Sequence, residues 1–181
     1  LRLINSDIFR VNLNELFKEG EYAVVANLPY GATSLVFRNF LTLPPRPAAL
    51  TVMVQREVAR RICAAPGEMS MLALTVQYYS QPSLLFDIPP KSVFPIPQVT
   101  SSVVYCDGIR KIDQAQDQKL FRLMKAGFSA RRKKLANSLS TLLPLSVREI
   151  ETRMAKVSLN ANVRAQELSI NQWLDLRKQI S

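Results

Sequence analysis

The 181-residue sequence contains no histidine. This absence excludes Ser-His-Asp and Cys-His nucleophilic catalysis and histidine-based metal sites, and we expect no metal centre. The two cysteines, Cys63 and Cys106, are far apart in sequence, which argues against a zinc ribbon or a disulfide framework and fits a reducing cytoplasm. No apolar run is long enough to span a membrane. A reaction carried by this chain would therefore depend on positioning its reactants.

Glycine is scarce as well, with five residues that are never spaced as G-x-G. The sequence therefore lacks the glycine-rich loop that opens dinucleotide-binding folds. The chain begins at Leu1, which is not an initiator, and it carries no charged and apolar leader. We expect it to be a processed or truncated form of a longer protein.

Positive charge is abundant, with a formal net charge of +10, and it is unevenly distributed. Residues 107–181 carry 15 Lys and Arg against 7 Asp and Glu, whereas residues 1–106 carry 9 against 7. This distribution predicts a polyanionic partner that contacts mainly the C-terminal part. An anionic membrane is the competing partner, but the cations are not matched to a long amphipathic helix. Nucleic acid is therefore favoured, and no membrane association is expected.

The first hundred residues alternate short β-like runs with helix-like runs, which indicates an α/β layer structure. The predicted strands are Arg2–Asn5, Tyr22–Ala26, Leu50–Val54, Ser83–Asp87 and Ser101–Cys106. The predicted helices are Thr33–Leu41, capped by Thr33 or Ser34, Gln55–Ala64 and Met69–Ser80. Proline-rich connections at 44–47 and 89–97 interrupt these elements.

The later part of the chain shows helical periodicity without strands, which predicts an all-α domain at 109–181 after an α/β domain at 1–108. Its predicted helices are Gln114–Phe128, Arg131–Leu143, Ser146–Ala155 and Ser169–Ile180. Trp173, in the last of these helices, is predicted to lie in the core.

The second of these helices is predicted to open with four consecutive cations, Arg131, Arg132, Lys133 and Lys134. A run of charges is usually a solvated face. Four cations at the positive end of a helix dipole are locally unfavourable, however, and a phosphate partner explains them more readily.

The segment Asn27-Leu-Pro-Tyr30 directly follows a predicted strand. The exocyclic amine of a purine is a poor nucleophile, so an enzyme that alkylates it must hold its N–H groups with acceptors. Asn27 Oδ1 and the Leu28 carbonyl are candidate acceptors, Pro29 stiffens the turn, and Tyr30 offers a face for a base. A simple strand-ending turn explains these four residues equally well when they are taken alone.

Further segments accompany this tetrapeptide in a specific order and spacing. They are Met53-Val-Gln-Arg-Glu-Val-Ala-Arg-Arg61, Pro89-Pro90, Phe94-Pro-Ile-Pro-Gln-Val-Thr-Ser101, Phe128-Ser-Ala-Arg-Arg-Lys-Lys-Leu-Ala-Asn-Ser138 and Arg164-Ala-Gln-Glu-Leu-Ser169. Over nearly its whole length the chain resembles the ribosomal RNA adenine N6,N6-dimethyltransferases, the family of the bacterial kasugamycin-sensitivity enzyme. The Phe-Ser-x-Arg-Arg-Lys segment favours the ribosome-assembly branch over the related erythromycin-resistance methyltransferases.

The resemblance implies the C-terminal part of a Rossmann-like methyltransferase sheet, followed by the helical domain. It implies S-adenosylmethionine as methyl donor and two adjacent adenines in the 3′-terminal hairpin of small-subunit (16S) ribosomal RNA as substrate, each dimethylated at N6. By the same resemblance, Asp7 lies against the adenine ring of the donor, Asn27 touches donor and target, and Tyr30 and Phe94 stack on the target base. Taken alone, Asp7 would be an ordinary turn residue. We expect a cytoplasmic monomer that acts on the 30S subunit.

The chain departs from the family pattern at two positions. Val93 stands where the family usually has Phe, with Phe94 one place later, so a surface proline turn with a buried Phe94 is an alternative. Gly31 stands where the family commonly has Asn.

Three arginines on a predicted helix, Arg56, Arg60 and Arg61, are further candidate phosphate contacts. Arg56 and Arg60 lie four residues apart and share a helix face. An intrahelical ion pair of Glu57 with Arg60 or Arg61 is the alternative interpretation.

The family also begins with a strand, a glycine-rich loop and an acidic strand end for the ribose, and none of these is present in the sequence. The chain alone is therefore expected to bind the donor poorly. Two other functions stay open: a non-catalytic RNA-binding or ribosome-assembly factor, and an adenine N6 methyltransferase that acts on DNA, because Asn-x-Pro-Tyr alone does not separate the two nucleic acids.

Overall fold

The computed structural model describes residues 1–17, 21–110 and 113–180. The described residues form four strands: β1 (Ala23–Asn27), β2 (Ala49–Gln55), β3 (Gln81–Ile88) and β4 (Ser101–Asp107). They also form eight α-helices: α1 (Leu13–Leu16), α2 (Thr33–Thr42), α3 (Arg56–Ile62), α4 (Met71–Tyr79), α5 (Gln114–Gly127), α6 (Leu135–Ser140), α7 (Val147–Ala155) and α8 (Ile170–Ile180).

The strands form one mixed sheet in the order β1-β2-β4-β3. β1 and β2 are parallel and are connected through α2, whereas β4 is antiparallel to both of its neighbours. In β2, fully buried Leu50, Val52 and Val54 alternate with half-buried residues, as the period of a strand requires. Because β4 runs opposite to β2, its first residue, Ser101, lies beside the carboxyl ends of β1 and β2.

One hydrophobic core joins this sheet to the helices. Phe37 and Leu41 of α2 and Leu74 of α4 are fully buried in it, and Ser70 caps α4 by accepting the N–H of Ala73 at 3.2 Å. The predicted α/β class is confirmed. Each of the four strands and of α2, α3 and α4 begins and ends within two residues of its predicted bounds.

Two predictions for the first part of the chain are wrong. Residues Arg2–Asn5 form no strand: their backbone groups pair with none of the described strands, and Leu3 is 91% exposed. Neither Thr33 nor Ser34 caps α2. A 3₁₀ turn at Tyr30–Ala32 runs directly into this helix, and the Thr33 hydroxyl instead donates to the Tyr30 carbonyl at 3.2 Å.

The described residues after β4 contain helices and no strand. α5, α7 and α8 begin and end within one residue of prediction. Trp173 is fully buried, together with Leu168 and Leu176, so its predicted core position is confirmed. The division of the chain into domains at residues 108 and 109 stays a prediction.

α6 is shorter than predicted at both ends, since it begins at Leu135, after the four cations, and ends at Ser140, not at Leu143. The N–H of Lys133 donates to the Ala130 carbonyl at 2.9 Å and closes a turn, and Lys134 has an extended backbone with ψ 148°. A helical start at Arg131 was therefore a wrong prediction, and the four cations do not occupy the first turn of a helix. Cations in the first turn of a helix lie at the positive end of its dipole, which is unfavourable and is consistent with the observed geometry.

In the parts of the chain that the structure covers, no helix combines the length and the apolar character that a bilayer crossing requires.

Candidate active site

The tetrapeptide Asn27–Tyr30 leaves the carboxyl end of β1. Asn27 pairs with Met53 of β2, and the N–H of Leu28 donates to the Met53 carbonyl at 3.4 Å. The Leu28 side chain is buried, at 9% exposure, whereas Asn27 and Pro29 are exposed. The buried Leu28 side chain anchors the segment and leaves the Asn27 amide accessible.

The carbonyl groups of this tetrapeptide have different environments. The Pro29 carbonyl accepts the N–H of Ala32 at 2.8 Å and so closes the 3₁₀ turn. Because that bond uses the Pro29 carbonyl, the Leu28 carbonyl and Asn27 Oδ1 are the better candidate acceptors for an amine.

Tyr30 is half-buried at the start of the 3₁₀ turn. Its hydroxyl and Ser101 Oγ share a hydrogen bond of 2.9 Å. Ser101 ends the motif that begins at Phe94, but no local pattern indicates its contact with Tyr30, since 71 residues separate the two. Only the antiparallel placement of β4 reveals this contact.

A largely apolar cavity of about 480 Å³ runs along the edge of β1 that pairs with none of the described strands, and it reaches Asn27 and Pro29. Val36 and Phe40 of α2 line one wall. Ser6 and Ile8, the neighbours of Asp7 in the chain, line it as well. The structure therefore brings the segments that carry Asp7 and Asn27 to one cavity.

The Asp7 carboxylate itself has a local structural role. It accepts the N–H of Phe9 at 3.0 Å and caps a short 3₁₀ turn at Ile8–Arg10. This bond uses one carboxylate oxygen, and the residue is exposed, so the other oxygen is accessible.

Phe94 lies apart from these residues, in the loop between β3 and β4. It is 95% exposed, so the alternative in which Phe94 is buried under a proline turn is wrong. Val93, one place earlier, is half-buried. The structure does not bring Phe94 against Tyr30.

The three candidate arginines of α3, Arg56, Arg60 and Arg61, are exposed. Arg56 Nη1 lies 3.9 Å from Asp87 Oδ2, with side chains 46% and 42% exposed, so this pair is weak. Within the described residues, Glu57 forms no ion pair with Arg60 or Arg61. The ion-pair alternative for these two arginines therefore finds no support.

The basic turn, residues 131–134, exposes all four of its cations. Its backbone is held on both sides: Ser129 Oγ donates to the Ala126 carbonyl at 2.7 Å, and the N–H of Leu135 donates to the Val163 carbonyl at 2.8 Å. Ser138, fully buried, donates from its Oγ to the Lys134 carbonyl at 3.4 Å. A polyanion would meet a turn that is already ordered, which lowers the entropic cost of binding.

The remaining reactive groups do not point to covalent or metal chemistry. Burial raises the pKa of Cys106 to about 12 and also raises the pKa of Cys63. Both thiols are therefore protonated near neutral pH and are poor nucleophiles. No group of three His, Cys, Asp or Glu side chains that could hold a metal ion occurs in the described ranges.

Two solved structures share this fold. The crystal structure of the 23S rRNA methyltransferase ErmE matches 98% of this chain and 70% of its own, with a TM-score of 0.73 and 19% identity. A crystal structure of a dimethyladenosine transferase from Plasmodium falciparum matches 96% of this chain and 70% of its own, with a TM-score of 0.75 and 19% identity. The chain therefore has the Rossmann-like fold of these methyltransferases.

Sequence comparison identifies the family. A family model described as ribosomal RNA adenine dimethylase matches residues 1–181. Ribosomal RNA small subunit methyltransferase A of Dehalococcoides mccartyi (strain CBDB1) is 36% identical over 184 residues, which cover 97% of this chain and 61% of that protein. The protein of the same name from Caldanaerobacter subterraneus subsp. tengcongensis is 38% identical over 182 residues, 96% of this chain and 67% of that protein.

The chain belongs to the ribosomal RNA adenine dimethylase family, which confirms the resemblance found in the motifs. It spans 61% of the length of the Dehalococcoides mccartyi relative.

Proposed function

We propose that this chain carries the target-base site and the RNA-contacting surface of an S-adenosylmethionine-dependent enzyme, one that dimethylates N6 of two adjacent adenines in the 3′-terminal hairpin of small-subunit (16S) ribosomal RNA. Membership of the family supports the reaction. One observation supports the site: Asn27, the Leu28 carbonyl and half-buried Tyr30 lie together at the end of β1. The enzyme would act as a cytoplasmic monomer on the 30S subunit during its assembly.

The donor site would lie in the cavity along β1. S-adenosylmethionine would supply an electrophilic methyl group that passes to N6 while the electron pair of the C–S bond stays on sulfur, so no general base with a shifted pKa is required. The apolar walls suit an adenosyl group. Asn27, which lines the cavity, and Asp7, whose neighbours Ser6 and Ile8 line it, are the residues that would hold it. The fit is partial, because none of the described glycines lines this cavity.

The target adenine would leave its stack in the RNA and lie on the ring of Tyr30. Asn27 Oδ1 and the Leu28 carbonyl would each accept one N–H of N6, and Pro29 would stiffen the turn between them. The proton that N6 loses goes to solvent. Phe94, exposed in its loop, would contact the other face of the base once the RNA is bound.

The second methylation requires space for the first methyl group and leaves N6 with one N–H. Asn27, which would hold the remaining N–H, is exposed. This openness supports a site that accepts a monomethylated amine.

The phosphates of the RNA would meet the basic turn and the arginines of α3. The four cations of the turn stand on an ordered backbone, and Arg60 and Arg61 are exposed. Contacts between cationic side chains and RNA phosphates supply affinity and fix the register of the RNA without reading its bases.

The test is transfer of labelled methyl from S-adenosylmethionine to undermethylated small ribosomal subunits, with this chain and with a version extended upstream to the next in-frame start. We expect transfer by the extended version and little by the chain alone. The Tyr30→Ala variant of the extended version is expected to lose transfer while still binding the subunit.

Two outcomes would support the other functions. If neither version transfers methyl but both bind small-subunit RNA, a non-catalytic assembly factor is correct. If the extended version methylates duplex DNA in preference to the subunit, the DNA methyltransferase is correct.

A further inference from the structure

Ser101 is a buried polar residue at the end of the sheet where β1 and β2 finish, which is the end that carries the proposed site. It is fully buried and begins β4, where it pairs with Gln55 of β2 and with Ile88 of β3. Strands on both sides therefore fix its backbone. A buried hydroxyl needs a hydrogen-bond partner, and the partner here is the hydroxyl of Tyr30, at 2.9 Å.

The Tyr30 residue is held at both of its ends. Its carbonyl accepts a bond from the Thr33 hydroxyl at 3.2 Å, and its own hydroxyl is bonded to Ser101. A ring that is held only by its backbone can change its χ1 rotamer, whereas a ring that is also held at its hydroxyl keeps one rotamer and one position. The half-buried Tyr30 ring is thus held in one position before any base arrives.

Ser101 also ends the loop that carries Phe94. The preceding residue, Thr100, accepts the N–H of Arg56 through its carbonyl at 3.0 Å. The end of this loop is therefore fixed beside Tyr30, and Ser101 sets the spacing between that ring and the loop.

We propose that Ser101 is a positioning residue, whose hydrogen bond to the Tyr30 hydroxyl fixes the rotamer and the position of the ring on which the target base stacks. The identity of that base as adenine rests on the proposed function. The coupling of Ser101 to the Tyr30 ring can be measured without it.

A matched control is available one residue along the strand. Ser102 is also fully buried on β4, but its Oγ donates to Asp87 Oδ1 at 2.5 Å, not to Tyr30. Ser101→Ala and Ser102→Ala each remove one hydroxyl from the same strand at the same burial. Only the first removes the bond to Tyr30.

The first measurement is the mobility of the Tyr30 ring in the 181-residue chain, by NMR with ¹³C-labelled tyrosine. The Tyr30 signals are assigned by their disappearance in Tyr30→Phe. We expect Ser101→Ala to lower the order parameter of this ring and Ser102→Ala to leave it unchanged. An unchanged ring in Ser101→Ala overturns the proposal.

The second measurement is methyl transfer by the upstream-extended enzyme carrying Ser101→Ala, Tyr30→Phe or both. Each single change removes the same hydrogen bond but keeps a ring, so we expect each to lower kcat about tenfold. The KM for the ribosomal subunit should stay within about twofold, because the phosphate contacts are untouched. The double variant should be no slower than either single variant.

Losses that multiply in the double variant, or an equal loss in Ser102→Ala, would overturn the positioning role, since both results mean general damage to the strand. A wild-type extended enzyme that transfers no methyl would overturn the proposed function instead. In that case the NMR result still decides whether Ser101 fixes the ring.

Discussion

Asn27 combines an exposed side chain with a fixed backbone, and this combination makes it a suitable residue for testing the site. We expect Asn27→Ala in the extended enzyme to lower methyl transfer by about 100-fold or more, because N6 loses one of its two acceptors and its alignment. The free energy of unfolding should change by less than about 0.5 kcal/mol, since an exposed side chain is removed. Labelled methyl transfer and urea unfolding measure the two effects.

Asn171 provides the control for this experiment. It is an exposed asparagine on α8, in the helical part of the chain, and Asn171→Ala should leave methyl transfer unchanged. If Asn27→Ala also keeps its activity, Asn27 is not an acceptor for the reacting amine, and the Leu28 carbonyl alone would have to hold it.

At the scale of single residues, sequence patterns locate those residues that act through their neighbours in the chain. Asn27-Leu-Pro-Tyr30 follows a strand and precedes a helix, so its position at the end of β1 was predictable. The bonds of Tyr30 with Ser101 and of Ser102 with Asp87 were not. They depend on which strands become neighbours in the sheet, and no local propensity encodes that choice.

Among the elements, the basic turn shows where a charge pattern is informative and where it misleads. Four cations in a row correctly indicated an exposed cationic surface, but the helix begins only at Leu135, the first buried residue after them. The apolar positions that pack into the core decide where α6 begins. Strand and helix periodicities were reliable for β2, α5 and α8, because each of these elements buries one regular face.

Neutralising the basic turn should weaken binding to small-subunit RNA and reduce its salt dependence. We expect replacement of residues 131–134 by alanine to lower the slope of log K against log salt by about 0.7 to 0.9 for each phosphate that the turn no longer neutralises. Replacing four exposed cations elsewhere, Lys119, Arg122, Arg148 and Lys156, removes the same charge and should change the slope less. Filter binding across a salt series measures both, and equal slopes in the two variants would refute a specific role for the turn.

Gly127, the last residue of α5, marks a close approach between helices. A Cβ at this position would lie 2.5 Å from Trp173 Cη2 and 2.9 Å from Leu135 Cδ1, and both of these side chains are fully buried. Since neither can move into solvent, Gly127→Ala should destabilise the protein by about 1–3 kcal/mol in spite of the better helix propensity of alanine. Urea unfolding measures this loss.

The control for this change is Gly31→Ala. A Cβ at Gly31 has no atom within 4 Å, so this variant should unfold at nearly the wild-type urea concentration. A Gly127→Ala protein as stable as Gly31→Ala would mean that the Trp173 ring has space to shift.

At the scale of the whole molecule, a buried polar cluster joins the sheet-bearing part to the helical part. Asp117 of α5 is 5% exposed, and it accepts the hydroxyl hydrogens of Tyr78 at 2.5 Å and Tyr79 at 2.9 Å, both on α4. Phe121 stacks on Tyr79 with ring centroids 5.7 Å apart, and Arg110 lies 4.1 Å over the Tyr78 ring. The two parts are thus connected by hydrogen bonds and aromatic contacts, not by the chain alone.

This cluster predicts a loss of stability at alkaline pH. Burial, followed by the hydrogen bond to Asp117, raises the pKa of Tyr78 from 10.0 to about 12 and raises that of Tyr79 further. Because the unfolded state then loses its phenolic protons first, the stabilisation is complete below pH about 10 and is lost as the pH rises towards 12. By linkage, each tyrosine should lower the free energy of unfolding by about 1 to 1.5 kcal/mol between pH 10 and about 11.5.

The double variant Tyr78→Phe, Tyr79→Phe separates this effect from the titration of other tyrosines and of lysines. It has no phenol to ionise in this cluster. Its free energy of unfolding, measured in urea from pH 8 to about 11.5, should therefore fall less steeply than that of the wild type. It should also be less stable at about pH 8, because Asp117 stays buried without its two donors. Parallel pH profiles for the two proteins would show that the cluster around Asp117 does not hold these hydroxyls protonated. The packing of Phe121 and Arg110 would then be the connection between the two parts.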